Sequence, residues 1–208
     1  MIPVKVLAVR YLANADPGFC RSLGAPVGYP SLGLLTTDCD DATYIALDAA
    51  TKASDVQVAY SRSFYAGAAN ASTPYAGEVI GILAGRTTGD VRSGMEAALG
   101  VLARVGFEDT NGVPYLAHTV ASVGSYLAKE AGVRQGAAVA YLIAPPLESM
   151  YAMDAALKAA DVKLCKLYTP PSETNFGGGL LTGTQSACDA ACAAFAAAVE
   201  EVAARPVE

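Results

Sequence analysis

Four consecutive residues, Asp38-Cys39-Asp40-Asp41, follow the apolar run Leu32-Gly-Leu-Leu-Thr-Thr37 and open an alanine-rich stretch. An Asp-x-Asp at the end of a strand can bind a divalent cation and present a carboxylate nucleophile. The same position suits a second task. Carboxylates at a helix start accept from backbone N–H groups that lack partners, and they sit well against the positive end of the helix dipole. Three expectations follow for the cluster: helix capping by Asp40 or Asp41, a small metal-dependent α/β hydrolase built on Asp38–Asp41, or a site for a small cation or amine.

The remaining candidate groups carry weaker signals. Glu78 opens an apolar run and reads as a solvent-exposed strand end. Gly177-Gly178-Gly179 lacks the Lys-Ser/Thr of a phosphate loop and reads as a flexible loop entering a strand. His118 is the single histidine and lies in an apolar run, the setting of a satisfied core or interface residue. The five cysteines are odd in number and show no paired spacing, so reduced thiols are expected. Cys188 and Cys192 share a helix face and read as packing groups, because zinc would need two further ligands. No metal and no cofactor is expected.

Positioning these groups is the work of a repeated unit. Ala46-Leu-Asp-Ala-Ala-Thr-Lys-Ala-Ser-Asp-Val56 and Ala152-Met-Asp-Ala-Ala-Leu-Lys-Ala-Ala-Asp-Val162 agree at eight of eleven positions. Leu83-Ala84-Gly85 likewise matches Leu181-Thr182-Gly183. Two copies of a long unit indicate a tandem duplication, not a solenoid, which needs three or more short repeats. The expected division is 1–105 and 106–208.

Patterning predicts the same elements in each half. In the first, strands are expected over 4–10, 32–37, 56–61 and 78–84, with helices over 41–54 and 90–105 and a small-residue loop over 62–76. In the second, strands are expected over 115–121, 139–144, 163–168 and 179–182, with helices over 147–160 and 185–204. Each half is thus an α/β (α+β) sandwich, a small sheet covered by two helices.

Composition narrows the function classes. The chain has 208 residues, 53% apolar and only 16% charged, with net charge −6. Disorder needs low hydrophobicity and high charge, which the bulk of this chain lacks. Nucleic-acid binding needs clustered Lys and Arg. The longest strongly apolar run, 190–199, is about half the roughly 20 residues a bilayer span requires. The N-terminus lacks the pattern of a signal peptide. Scarce charge and abundant apolar surface then point to partner subunits in the cytosol, with no nucleic acid and no lipid membrane as partner.

The doubled Ala-x-Asp-Ala-Ala-x-Lys-Ala-x-Asp-Val motif resembles the lysine-bearing helix of bacterial microcompartment shell proteins. Ser31–Leu35, Asp40–Tyr44, Arg62–Ala69, Ala76–Val79, Gly124–Leu127, Ala140–Glu148, Pro170–Asn175 and Leu181–Gly183 extend the likeness over nearly the whole chain. They resemble the circularly permuted, tandem-domain trimeric type, and within it the shell proteins of ethanolamine utilization. The resemblance implies a non-enzymatic tile of a polyhedral organelle shell. In it, a homotrimer mimics a hexamer and packs against neighbouring shell proteins in a hexagonal lattice. It implies tile-edge contacts by Lys52 and Lys158. It implies a gated central pore lined by loops 62–76 and 170–178, with Arg62, Ser63, Phe64, Tyr65, Ser172, Glu173, Thr174 and Asn175. It also implies small pores that bind ethanolamine through Asp40 and Glu78, with Phe107 contributing backbone. A small-amine-binding oligomer that never builds shells is the remaining alternative.

Overall fold

Alternating burial along the apolar runs produces nine strands and six helices among the described residues of this computed structural model, which are 1–63 and 78–207. In chain order these are β1 (Val6–Leu12), α1 (Pro17–Ser22), β2 (Ser31–Thr37), α2 (Asp40–Ala53), β3 (Val56–Ser63), β4 (Val79–Gly85) and α3 (Thr88–Leu102). There follow β5 (Glu108–Thr110), β6 (Val113–Val120), α4 (Ser125–Ala131), β7 (Ala138–Ala144), α5 (Pro146–Ala159), β8 (Val162–Tyr168), β9 (Gly177–Gly183) and α6 (Gln185–Ala204). The α/β fold class expected from the sequence is the one observed.

The chain divides into two compact units. Pro3–Val105 with Gly124–Leu127 make one; Met1–Ile2, Gly106–Val123 and Ala128–Glu208 make the other. In the first, an antiparallel sheet has the order β1-β2-β4-β3. The helices α2 and α3 pack on each other and on that sheet. Leu35, Leu47, Leu83, Val91 and Met95 are fully buried there, while Leu32 is buried on the other face of the sheet with Cys20, Tyr29, Ile82 and Ala84. Burying each such side chain stabilises the fold by about 1.5–3 kcal/mol.

The second unit has the order β5-β6-β7-β9-β8, with α5 and α6 packed together on the sheet. Its core holds Leu142, Met153, Leu181, Cys188, Cys192 and Phe195. The two cysteines are the packing groups their spacing suggested. Phe195 gives the otherwise alanine-rich α6 the large buried side chain that alanine cannot supply.

The repeat extends into backbone detail. β2 pairs with β4 from Ser31–Gly85 to Thr37–Val79, and β7 pairs with β9 from Ala138–Gly183 to Ala144–Gly177. The register of β3 shifts between Val58 and Tyr60, and that of β8 between Leu164 and Lys166, which are matching positions. α1 and α4 end alike. Gly24 and Gly132 adopt φ of 78° and 65°, and the following N–H groups of Ala25 and Val133 reach back to the carbonyls of Cys20 and Ala128 at 3.0 Å each. Positive φ at these helix ends is what glycine permits.

Several sequence expectations are corrected. The first strand is Val6–Leu12, two residues later than its alternation suggested. β3 runs through Ser63, so Arg62 and Ser63 are strand residues and not loop. Gly177–Gly179 form the start of β9, buried, rather than a flexible approach to it. A Cβ on Gly178 would lie 1.9 Å from the Leu142 carbonyl oxygen, and one on Gly179 would lie 2.4 Å from that of Lys166. Close backbone approach, not flexibility, requires glycine there. The short elements α1, α4 and β5 were not anticipated.

Candidate functional site

The turn between β2 and α2 holds the acidic cluster. Its expected capping role is corrected: the N-cap is Cys39, which makes no side-chain cap, and Asp40 and Asp41 lie in the first helical turn. Hydroxyls take up the turn instead. Thr37 and Thr43 oxygens stand 2.7 Å apart, and each approaches the Cys39 carbonyl, at 3.0 and 2.7 Å. The carboxylates diverge. Asp38 Oδ1 accepts the Lys5 backbone N–H at 2.8 Å. Asp40 Oδ1 accepts the Asp41 N–H at 2.9 Å, and its Oδ2 accepts from Ser63 Oγ at 2.6 Å. Asp40 and Asp41 are both buried. Burial pushes the Cys39 thiol well up, with Asp41 and then Asp40 adding to the effect.

Sheet register brings further groups to the same end. Thr37 and Ser63 both lie opposite Val79, the first residue of β4. Glu78 is the residue before it, half-buried. Asp38, Asp40, Asp41 and Glu78 therefore lie at the same end of the sheet, where β2 and β3 end and β4 begins, although the aspartate side chains take different partners. Such a setting favours a small cation that donates charge-assisted hydrogen bonds to carboxylates. The link between Asp40 and Ser63 has no signal in the sequence, because it depends on β3 continuing two residues past its apolar part. Phe64 and Tyr65 lie outside the described residues.

The matching turn of the other unit, Ala144-Pro145-Pro146, carries no carboxylate. Pro146 instead opens α5, and its carbonyl accepts from Ser149 Oγ at 2.9 Å. Phe107 belongs to this unit. It is buried, its ring centroid is 5.7 Å from that of Phe176, and its carbonyl accepts the Ile2 N–H at 2.5 Å. Of the expected pore residues here, Thr174 is buried while Ser172, Glu173 and Asn175 are exposed. Thr174 donates its N–H to Ser172 Oγ, and its own Oγ1 accepts from Phe176 N–H, both at 3.3 Å. His118 is half-buried in β6, opposite Tyr141.

The repeated lysines occupy unlike settings. Lys52 stands 3.4 Å from Asp48 Oδ2, and the Asp48 side chain is 0% exposed. That carboxylate also accepts the backbone N–H groups of Gly124 and Leu127, each at 2.8 Å. Thr51 Oγ1 accepts from Ser125 N at 3.1 Å. Lys158 pairs with Asp154, whose side chain is 64% exposed. Asp48 is a positioning group that sequence reasoning passed over, since its repeat partner Asp154 is chemically identical. Among the described residues no group of three or more His, Cys, Asp or Glu could hold a metal ion, and no helix is long and apolar enough to cross a membrane.

Comparison with known proteins gives a consistent result. Residues 31–114 match the family model described as BMC domain. The whole chain is 56% identical to the bacterial microcompartment shell protein EutL of Clostridium perfringens, of which it covers 97%. The crystal structure of the ethanolamine utilization protein EutL from Leptotrichia buccalis superimposes with a TM-score of 0.93 at 55% identity, covering 100% of this chain and 97% of that one. A trimeric bacterial microcompartment shell protein, PduB, shares the fold with a TM-score of 0.82 at 20% identity, over 96% of this chain and 89% of that chain.

Proposed function

Because the chain belongs to the EutL family of bacterial microcompartment shell proteins and is a structural shell component of the oligomer-forming kind, we propose that three copies close into a ring of six modules, one module spanning 1–105 and the other 106–208. The ring tiles the shell edge to edge through Lys52 and Lys158, and its acidic ends bind ethanolamine or a like amine in transit. Its role is architectural and selective, without catalysis. The segments 62–76 and 170–178 supply a gated central passage. Duplicated modules with one strand order support the sixfold arrangement, since two similar modules per chain make a trimer imitate a hexamer.

One observation carries the binding reading: the buried carboxylate Asp40, with Glu78 at the same sheet end, in one of the two modules only. Ethanolamine is an ammonium with a hydroxyl, so a carboxylate pair can hold the cation while the Ser63 side accepts or donates to the hydroxyl. Phe107 would add its backbone. Light scattering should report three times the chain mass, and calorimetry should report heat with millimolar ethanolamine that Asp40→Ala or Glu78→Ala weakens at least tenfold. A monomeric wild type overturns the ring. A heatless wild type overturns the amine site and leaves the shell role intact.

A further inference from the structure

Of the four asparagines in the chain, Asn111 alone is followed by glycine. The pair forms the two-residue turn between β5 and β6, where Thr110 lies opposite Val113. Both turn residues have positive φ, 54° at Asn111 and 82° at Gly112. That is the type I′ geometry, which matches the twist of a hairpin and suits Asn-Gly. Both residues are exposed, and nothing lies within 4 Å of the Cβ position of Gly112.

A side-chain amide beside an unhindered peptide nitrogen can react with it, and glycine has no Cβ to obstruct the approach. The Gly112 nitrogen loses its proton to hydroxide and bonds to Asn111 Cγ. The bond from Cγ to the side-chain nitrogen breaks, and that nitrogen leaves as ammonia with a proton from water. A five-membered succinimide remains. Water then adds to one of its two carbonyls. One opening leaves aspartate. The other routes the main chain through the side-chain carboxyl, as isoaspartate. No electron is transferred, and water and hydroxide are the only co-reactants.

Two features of the fold oppose this step. Ring closure needs the Gly112 nitrogen on the same side as Asn111 Cβ. In the left-handed region ψ is about +47°, which sets that nitrogen on the side opposite Cβ. The Gly112 N–H is also engaged, since Asp109 Oδ1 accepts it at 3.1 Å. That bond, and the negative charge it brings, both disfavour loss of the proton.

We propose that Asn111 is a self-modification site, closed while Asp109 holds the turn and open when the hairpin loosens. Its products act beyond the turn. β5 is the outermost strand of its sheet and is three residues long. Isoaspartate lengthens the main chain of the turn by one carbon, which a two-residue hairpin does not accommodate. β5 then separates and leaves the edge of β6 bare. Aspartate keeps the chain length and adds a charge beside Glu108 and Asp109. Glu108 already pairs with the Met1 ammonium at 2.6 Å.

The test ages the full chain in mild alkali at body temperature. Peptide mapping by mass spectrometry reads amide turned to acid at residue 111, and enzymatic methylation counts the isoaspartate. The chain unfolded in urea should convert at least tenfold faster than the native chain. Native Asp109→Ala, with unchanged circular dichroism, should convert at least threefold faster than native wild type. Asn14 shares a positive φ, 55°, but precedes alanine, and should lag behind Asn111 in urea. Absence of conversion at 111 in urea overturns the site. Equal native and unfolded rates, or equal rates for wild type and Asp109→Ala, overturn the restraint.

Discussion

Leu127 donates its backbone N–H to the carboxylate of Asp48 at 2.8 Å, and that carboxylate is wholly shielded from solvent. Asp154, its repeat partner, shares the sequence context but lies exposed with Lys158. Identical residues thus do different work, because only one has backbone donors placed against it.

Asp48→Ala should lower stability by about 3 kcal/mol, since it leaves two buried N–H donors without an acceptor. Asp154→Ala should change it by less than about 0.5 kcal/mol, as expected for an exposed ion pair. Urea midpoints at one fixed protein concentration check the difference. Equal losses would show that the Gly124–Leu127 bonds contribute little.

The same asymmetry separates the lysines. Lys158→Asp should weaken two-dimensional sheets in electron micrographs while leaving the melting temperature unchanged. Lys52→Asp should weaken sheets and also lower the melting temperature, because it sets a second carboxylate beside buried Asp48. Unchanged sheets in both would remove the lysines from the tile edge.

Much of this architecture was legible beforehand. The helix over 185–204 and the repeated helix pair follow from alanine spacing and the doubled motif, and the buried strands from their continuous apolar runs. The misses have physical causes. α1 and α4 are of six and seven residues, too short for periodicity to show. The three glycines of β9 look like loop because sequence does not record the carbonyls that crowd them. The acidic cluster was found as a cluster, but its bonds were not. Which oxygen meets Ser63 depends on β3 and α2 meeting in space.

Glycine substitutions test the crowding directly. Gly178→Ala should cost about 3 kcal/mol or more, given its φ of 144° and the blocked Cβ position. Gly100→Ala, in α3 with no atom within 4 Å of its Cβ position, should stabilise by about 0.5–1 kcal/mol. Thermal melts of the two single variants should move in opposite directions.

Alkali should act through the buried thiols. Burial raises Cys192 from 9.0 to about 11, partly offset by its hydrogen bond with Thr119. The unfolded chain therefore releases this proton at lower pH than the native one. Stability is full below pH 9 and falls as pH climbs toward 11, by about 2–3 kcal/mol from this group. Cys192→Ala should lower stability overall but flatten that decline in melts across the window. An unaltered slope would assign the decline to other groups.

The two turns that precede α2 and α5 have a consequence for symmetry. One holds three carboxylates, the other two prolines. A subunit with a single module, repeated identically, must present the same turn at every position around its ring. Fusing two copies lifts that constraint. Charge can be taken up in one turn and withheld from its neighbour, so that alternate corners of an assembly become chemically distinct without any change in the shape that lets them tile.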